Sequence, residues 1–415
     1  MAIENNDNSL IEECKVYCDE GYTGKPDVNL ATDYYMNFSG DNNIIKECYI
    51  ERVGNLDHGG AGIGIKAFGE NNLFENCTAK GLGNAGFYVR HSGVTNNEFR
   101  NCTALNGTGF VVRDGAHHNT FNYCRTDSCI GVFFTWSGED IVSSGNDNNF
   151  YNCIFENSSY MISFGGSKKD AKANDNSFVN CVFDGSDYLF RTGRNNEGNK
   201  MINCAISNVS EYKYTRYSNY RNVHMEFINT NFWNMGFDIP YNENSTYTNI
   251  LKVNPRFVDA DNSDYHLEYN SQLIDAGLAD MSAYNLPELD YYGNPRFFDS
   301  KENGTATIDI GVHEFQSITD VEDETITPTK FVLFNNYPNP FNPTTNISYN
   351  LGNSADVKIS IYNSVGQLLE VLYNNFQTQG KHTIEWNASN ESSGVYFYKV
   401  EAGTSVAVKR CLLIK

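Results

Sequence analysis

The sequence has no apolar run of about 18 residues or more, the length that a membrane-spanning helix needs. Its opening, MAIENNDNSL, lacks the basic segment and the apolar segment of a signal peptide. Basic residues are scarce, because 30 Lys and Arg stand against 51 Asp and Glu, for a formal net charge of −21. This balance argues against a general nucleic-acid-binding role and makes any cluster of basic side chains conspicuous.

Proline is also rare, at nine residues in 415, whereas Tyr and Phe number 27 each, which favours strands over helices. The string Asn-x-apolar-x-x-Cys recurs and ends at Cys48, Cys77, Cys102, Cys124, Cys153, Cys181 and Cys204. Cys14 precedes this series and Phe227 follows it, at intervals of 22 to 34 residues that indicate a solenoid. The units contain short β-type runs without a 3.6-residue period, so they predict an all-β fold, a right-handed parallel β-helix.

Stacking of the coils accounts for the residue types in the repeat. Equivalent residues of successive coils lie about 4.8 Å apart, so we expect the cysteines to form an inward column of small apolar side chains. The asparagines from Asn43 to Asn199 are expected to hydrogen-bond along a turn. Adjacent parallel rungs give poor disulfide geometry, and no CxxC or paired His motif is present, so we expect reduced core thiols rather than disulfides or a metal site.

A second strand precedes the repeat cysteines and reads, coil by coil, DYYMN, GIGIK, GFYVR, GFVVR, GVFFT, SYMIS and DYLFR. Its second and fourth places are apolar and are expected to point inward, whereas its third and fifth places are expected to point outward. The fifth place then forms one outward column, made of Asn37, Lys66, Arg90, Arg113, Thr135, Ser163 and Arg191.

Three residues of this column, Lys66, Arg90 and Arg113, are basic and fall in successive repeats of an acidic chain. Arg binds carboxylates bidentately, and a lysine beside another cation has a lowered pKa, which makes it a competent base. We therefore expect a lyase that cleaves an acidic, uronate-containing polysaccharide by β-elimination. Lys66 would be the base, and Arg90 or Arg113 would supply fixed positive charge. The candidate substrate-binding residues are Tyr88, His91, Asp114, Trp136 and Arg191.

The stretch GIGIKAFGENNLFENCTAKGLGNAGFYV, which ends at Val89, resembles the lysine-centred core of the family 9 polysaccharide lyases. In that family a lysine follows a Gly-Phe-type strand and precedes an Asn-x-Phe-x-x-Cys coil, so the resemblance gives Lys66 the place of the base. The family also holds calcium with aspartates before the corresponding strands, where this chain has Ala61 and Ala85. Calcium is the one cofactor that the sequence leaves undecided, and either Asp57 or Asp114 would have to bind it in place of the missing aspartates.

Two alternatives remain open at this point. The basic column could be a solvated face whose arginines pair with neighbouring acids, and the chain would then be a non-catalytic carbohydrate-binding or adhesin-like surface protein. A β-helix glycoside hydrolase is the second alternative. It ranks below elimination, because hydrolysis needs paired carboxylates and no aspartate pair repeats on this face.

The pattern changes after Leu251, where NPRFVDADNSDYHLEYNSQLIDAGL, DYYGNPR and IDIGVHEF resemble the last coils and closing strand of secreted bacterial β-helix proteins. Residues 316–329 are acidic and Thr-rich, which is typical of a linker. Residues 330–415 alternate as the strands of a small Ig-like β-sandwich. Within them YPNPFNPTT, IYNSVGQ, SSGVYFYKV and the terminal KRCLLIK resemble the type A sorting domain of type IX secretion.

The predicted domains are thus a β-helix at 1–315 with closing coils at 251–315, a linker at 316–329 and a sorting domain at 330–415. The repeat is already established at Cys14, so we expect the β-helix to lack its native N-terminal cap. The sorting-domain resemblance implies passage through the periplasm, export by the type IX secretion machinery, and a secreted or surface-attached protein. We expect a monomer that has no membrane span and no nucleic-acid partner.

Overall fold

The computed structural model describes residues 2–3, 7–18, 34–52, 63–135, 145–164, 173–192, 196–215, 223–239, 244–298, 306–316, 331–333, 336, 341–363, 366–403 and 405–413. The chain divides into two compact units, Met1–Ser317 and Ile318–Lys415. Asp57, Trp136 and residues 317–329 of the predicted linker lie outside the described residues.

The first unit is built of short strands. In chain order they are β1 (Ala2–Ile3), β2 (Leu10–Glu12), β3 (Lys15–Cys18), β4 (Tyr34–Phe38), β5 (Ile44–Lys46), β6 (Tyr49–Arg52), β7 (Ile63–Ala67), β8 (Leu73–Glu75), β9 (Thr78–Lys80), β10 (Ala85–Arg90), β11 (Glu98–Arg100), β12 (Thr103–Arg113), β13 (Thr120–Asn122), β14 (Arg125–Thr135), β15 (Asn149–Tyr151), β16 (Ile154–Phe164), β17 (Ser177–Val179), β18 (Val182–Thr192), β19 (Asn199–Ile202), β20 (Ala205–Thr215), β21 (Met225–Ile228), β22 (Asn231–Trp233), β23 (Thr246–Thr248), β24 (Phe257–Asp259) and β25 (Asp264–Leu267).

Two long sheets contain most of these strands. Sheet A runs β1-β4-β7-β10-β12-β14-β16-β18-β20-β22, and β3, β6 and β9 pair alongside it up to β12. Sheet B runs β2-β5-β8-β11-β13-β15-β17-β19-β21-β23. Each strand pairs in parallel with its equivalent one coil away, so that Phe99 lies between Phe74 and Phe121. This coil-on-coil pairing confirms the predicted right-handed parallel β-helix.

Single left-handed residues form two corners of each coil. The residue before a repeat asparagine and the residue before a repeat cysteine both have positive φ, as at Asn71 (59°), Asn76 (54°), Asn96 (56°) and Asn101 (52°). Asn adopts this conformation at less cost than most residues. The short sheet B strand is therefore bounded on both sides by such a corner, which explains why the repeat contains more asparagine than the stacked position alone requires.

The stacked asparagines form a continuous ladder of buried hydrogen bonds. From Asn43 to Asn199, each Nδ2 donates to the Oδ1 of the next asparagine over 2.9–3.1 Å. The backbone N–H of the same residue donates to that oxygen as well. Since an unmade buried hydrogen bond costs about 1–3 kcal/mol, this asparagine ladder strongly favours one register between successive coils.

The cysteines and the apolar positions of the repeat complete the core. The column from Cys48 to Cys204 is at most 1% exposed, and its cysteines are free thiols, as predicted. Burial raises the pKa of the Cys102, Cys153 and Cys204 thiols well above their ordinary value. The apolar place of the repeat forms a second column, in which rings stack at 4.3–4.8 Å between centroids: Phe74, Phe99, Phe121, Phe150 and Phe178.

The predicted alternation of the second strand holds through β14 and fails after it. Inward places such as Phe87 and Val89 are fully buried. In β16, however, the pairing with β14 contains an irregularity, and the consecutive residues Met161 and Ile162 both enter the core. The prediction that Tyr160 and Tyr188 point inward is therefore wrong, because each precedes two consecutive core residues and lies on the outer face.

Residues 251–298 and 306–316 do not add the predicted closing coils. Leu251 bridges to Asn231, but β24 and β25 pair with each other in antiparallel fashion. Apolar residues of this segment, such as Leu273 and Ile310, pack against outward residues of β16, β18 and β20, which are Ile154, Val182 and Ala205. The segment therefore runs back along the outside of the β-helix and covers an apolar stripe there. We call it the strap.

The second unit has the predicted β-sandwich fold. Its strands are β26 (Val332–Leu333), β27 (Thr344–Leu351), β28 (Ala355–Asn363), β29 (Leu368–Gln377), β30 (Gly380–Asn387), β31 (Gly394–Ala402) and β32 (Ser405–Leu413). They form antiparallel sheets in the orders β26-β27-β30 and β29-β28-β31-β32. Both sheets contribute to one core around Trp386 and Tyr398. In neither unit does a helix of the described residues reach the length and apolarity needed to cross a membrane.

Replacing Asn119 by Ala tests the ladder. The Asn97 N–H donates to the Asn119 Oδ1 and loses its acceptor, whereas the Asn97 Nδ2 keeps two backbone carbonyl acceptors. We expect the free energy of unfolding to fall by about 3 kcal/mol, since this buried N–H is left unpaired and the buried hydrogen bonds that the Asn119 Nδ2 donates are lost as well. Thr120→Ala, one residue on at an outward place, is the matched control and should cost less than about 1 kcal/mol. Equal losses in chemical denaturation of the two variants would contradict the role of the ladder.

Candidate functional site

The basic residues lie on the outer face of sheet A but do not form a single row. Arg90 and Arg113 are direct register partners, whereas Lys66 pairs with Asn37 on one side and with Tyr88 on the other. The predicted alignment is therefore wrong by two residues at this step. A shift of two residues keeps a side chain on the same face, so Lys66 still shares the outer face with the two arginines.

A second step of the predicted column is also displaced. Ser163 pairs with Phe133 rather than with Thr135, and Arg191 pairs with Ser163. The outward column of the structure, which we call the Lys66 column, consists of Asn37, Lys66, Tyr88, Val111, Phe133, Ser163, Arg191 and Tyr214.

Asp114 holds the two arginines together. Its Oδ2 accepts hydrogen bonds from the Nε of Arg90 at 2.5 Å and from the Nε of Arg113 at 3.2 Å, and its side chain is buried. It follows Arg113 directly in a left-handed conformation, with φ 54°, at the turn that ends β12. The two guanidiniums and the carboxylate together carry one net positive charge, and these ion pairs hold them in a fixed position.

Lys66 lies close to this positive charge and is largely shielded from water. It is 8% exposed, and its Nζ lies 3.8 Å from the centroid of the Phe68 ring. Burial, and after it the charge of Arg90, lowers the pKa of Lys66 to about 8. A substantial fraction of its amine is therefore neutral at mildly alkaline pH, where an ordinary lysine is almost fully protonated. This is the state that a general base requires.

His91 and Tyr88 complete the cluster. The His91 ring stacks on Phe68 with centroids 5.3 Å apart and 10° between the planes. Burial and the charge of Arg90 lower the pKa of His91, which favours its neutral form. Tyr88 is 4% exposed, and the Arg113 Cζ lies 5.6 Å from its ring centroid. The Tyr88 ring is thus placed to support Arg113 rather than to face solvent.

Arg191 lies apart from these residues. Five register steps separate it from Lys66 in the column, or about 24 Å at the spacing of parallel strands. Its guanidinium lies over the rings of Phe133 and Tyr160, with Cζ 5.8 and 5.5 Å from their centroids. The structure therefore brings together Lys66, Tyr88, Arg90, His91, Arg113 and Asp114, which we call the Lys66 cluster, and leaves Arg191 at a separate position.

The residues around Asp114 do not support a calcium site there. Asp57 and Trp136 lie outside the described residues. The Oδ2 of Asp114 is bound by two guanidiniums, which are unfavourable neighbours for a cation. Within the described ranges, no group of three or more His, Cys, Asp or Glu side chains is arranged to hold a metal ion.

The sequence analysis missed a pair of carboxylates on another face. Glu156 and Asp184 are register partners, and the Tyr265 hydroxyl lies 2.8 Å from the Glu156 Oε2 and 3.3 Å from the Asp184 Oδ2. Glu156 and Tyr265 are each 1% exposed. The two carboxylates therefore hold the strap in place and are not accessible to a substrate. Each of the two acids lies three residues after a repeat cysteine, and this shared spacing could have revealed the pair in the sequence.

Family models match both ends of the chain. Residues 335–415 match the model described as a secretion system C-terminal sorting domain, and residues 1–147 match the model described as a right-handed β-helix region. The search of curated proteins gave no match.

Parts of the chain are similar to two solved structures. One is PorZ, a surface component of the type IX secretion system of Porphyromonas gingivalis, at 22% identity over 26% of this chain and 14% of PorZ, with a TM-score of 0.15. The other is PfbA, a surface adhesin of Streptococcus pneumoniae, at 12% identity over 61% of this chain and 64% of PfbA, with a TM-score of 0.27. The matched parts are less than two thirds of the length of either protein.

The family models agree with the fold of the first unit and assign a role to the second. The solenoid pairing of sheets A and B agrees with the β-helix match. The C-terminal match assigns the protein to the type IX route, which ends at the cell surface or outside the cell. The chain is therefore a right-handed parallel β-helix protein that carries a type IX secretion sorting domain.

Proposed function

We propose that the β-helix is a polysaccharide lyase that cleaves a uronate-containing polymer by β-elimination at the Lys66 cluster. The observation that carries this proposal is the lysine whose pKa is lowered to about 8 on the outer face, close to a fixed pair of guanidiniums. A binding surface needs cations, but it has no need of a lysine that loses its proton near neutral pH.

The cluster contains the groups that each step of the elimination requires. The net positive charge of Arg90, Arg113 and Asp114 pairs with the uronate carboxylate and makes the proton on the adjacent carbon more acidic. Neutral Lys66 takes that proton. The electron pair forms a carbon–carbon double bond as the neighbouring carbon releases the glycosidic oxygen. That oxygen gains a proton from the Lys66 ammonium or from water, which completes the reaction without a redox step.

A second candidate is a carbohydrate-binding surface protein without catalysis, and the ion pairs of Asp114 favour it. This carboxylate already balances one of the two guanidinium charges, so the cluster is stable without a substrate. The remaining charge would bind an anionic polymer whether or not Lys66 acts on it. Hydrolysis has less support, because the paired carboxylates Glu156 and Asp184 lie beneath the strap.

The lyase proposal is tested with the full-length protein and three kinds of polymer: pectate, alginate and glycosaminoglycans. We expect one of them to yield the ultraviolet absorbance of an unsaturated uronate. The value of kcat/KM should rise with pH, reach half its maximum near pH 8 and then level off, because kcat/KM follows the protonation of the free enzyme and only deprotonated Lys66 accepts a proton.

The matched variants are Lys66→Ala and Lys80→Ala. Lys80 forms an ion pair with Glu51 and lies outside the cluster. Lys66→Ala should lower the elimination rate by about 10²–10⁴-fold and leave polymer binding nearly unchanged, whereas Lys80→Ala should alter neither. If a polymer binds but no unsaturated product forms, the lyase proposal is refuted and the carbohydrate-binding candidate takes its place. An absence of both binding and product would refute both candidates.

Removal of residues 330–415 in the native host tests the sorting domain. The β-helix and the sandwich have separate cores, so the truncated β-helix should fold and accumulate in the periplasm. Cell fractionation and circular dichroism of the periplasmic protein provide the measurement. Export of the truncated chain at the normal level would contradict the sorting role.

A further inference from the structure

Three tyrosines form a cluster on the outer face of sheet A, toward the other end of the β-helix from Lys66. Tyr160, Tyr188 and Tyr214 come from β16, β18 and β20, and their ring centroids lie 5.5–5.7 Å apart. Tyr160 and Tyr188 stack with 18° between their planes, and Tyr214 is 37% exposed. Contiguous aromatic surface on the outside of a protein commonly marks a binding site. We call these residues the tyrosine cluster.

Arg191 adjoins the tyrosine cluster. It is the register partner of Tyr214, and its Cζ lies 5.5 Å from the Tyr160 centroid and 5.8 Å from the Phe133 centroid. Among the described residues it forms no ion pair, whereas Arg90 and Arg113 share Asp114. Contacts with two rings hold its guanidinium in place and leave charged N–H groups for the carboxylate of a ligand.

Acidic side chains lie on the other side of the tyrosine cluster. Glu211 is the register partner of Tyr188, and its negative charge, with a smaller effect from Asp187, raises the pKa of Tyr188. The surface therefore has a cation at one end, aromatic rings in the middle and carboxylates at the other end. This arrangement suits a ligand that is itself asymmetric, with one anionic group and several hydroxyl donors.

We propose that Tyr160, Tyr188, Tyr214 and Arg191 form a second binding site for an acidic polysaccharide, separate from the Lys66 cluster. A sugar ring packs its C–H face on the tyrosines, its carboxylate pairs with Arg191, and its hydroxyls donate to Glu211 or Asp187. The choice of a uronate polymer as the ligand rests on the proposed function. The surface itself rests on the ring geometry and on the charges at its two ends.

The two sites follow one another along the strand-stacking direction. Lys66 and Arg191 lie about 24 Å apart, whereas the facing members of the two sites, Arg113 on β12 and Tyr160 on β16, are two strand steps or about 10 Å apart. A single sugar unit therefore occupies one site at a time, whereas a longer chain reaches both. The second contact then raises the affinity for the polymer without any new contact at the first site.

The test uses full-length Lys66→Ala protein, which binds without cleaving, and measures its affinity for the polymer that the wild type cleaves. If none is cleaved, pectate, alginate and hyaluronate are each used. In this background, Arg191→Ala and Tyr214→Ala should each weaken polymer binding about tenfold or more. Tyr214→Phe should retain binding. Arg256→Ala and Tyr269→Ala, at exposed strap residues, should leave affinity unchanged. Thermal melting confirms that every variant is folded.

The outcomes separate this inference from the proposed function. If the wild type cleaves a polymer and neither Arg191→Ala nor Tyr214→Ala weakens binding, the second site is refuted and the lyase stands. If nothing is cleaved but binding depends on Arg191, the lyase is refuted and the second site stands. If the protein is a dimer that Tyr214→Ala dissociates, the tyrosine cluster contacts a second copy of the chain and the inference is overturned.

Discussion

Each coil of the β-helix is joined to the next by a buried asparagine whose Oδ1 accepts both a backbone N–H and a side-chain N–H from the preceding coil. The stacked phenylalanines and the thiol column fill the interior beside this ladder. Because side chains alternate between faces, a slip of one residue would exchange the inner and outer faces of a strand. The ladder opposes such a slip, and so it determines which residues reach the outer face, where both proposed sites lie.

The outer faces of the β-helix have different uses. On one face the apolar residues Ile154 and Val182, together with the Glu156–Tyr265 hydrogen bond, hold the strap. On the face of the Lys66 column, burial and then the nearby charge of Arg90 disfavour protonation of Lys66 and lower its pKa. Asp114 makes this arrangement of positive groups tolerable, because it balances part of the charge of Arg90 and Arg113. A rigid core therefore supports a charge arrangement that would be unfavourable in a flexible chain.

The core could be predicted from the sequence because each of its columns follows a local rule. One Asn, one apolar residue and one Cys recur at a fixed spacing, and this spacing is the same in long and short coils. A loop of variable length separates the second strand from these repeat positions, so its register cannot be read from their spacing. The sequence alignment of Gly62 with Gly86 placed Lys66 two residues away from its true partner. In the structure Ile63 pairs with Ala85. The outward position of Tyr160 depends on an irregularity after which Met161 and Ile162 both enter the core. In the sequence this stretch looks like ordinary alternation. The sequence allowed for arginines paired with neighbouring acids, but it did not show that both arginines share Asp114, since that link depends on one left-handed residue.

The central claim is that burial and the charge of Arg90 make Lys66 a base close to neutral pH, and it can be tested without a substrate. An NMR titration of protein labelled with ¹³C-lysine, in which the Lys66 signal is identified by its loss in Lys66→Arg, measures the pKa of this amine directly. The account predicts a midpoint near pH 8 in the wild type and a higher midpoint in Arg90→Gln, where one positive charge is removed. A wild-type midpoint close to that of an ordinary lysine, about 10.4, and unchanged in Arg90→Gln would contradict it.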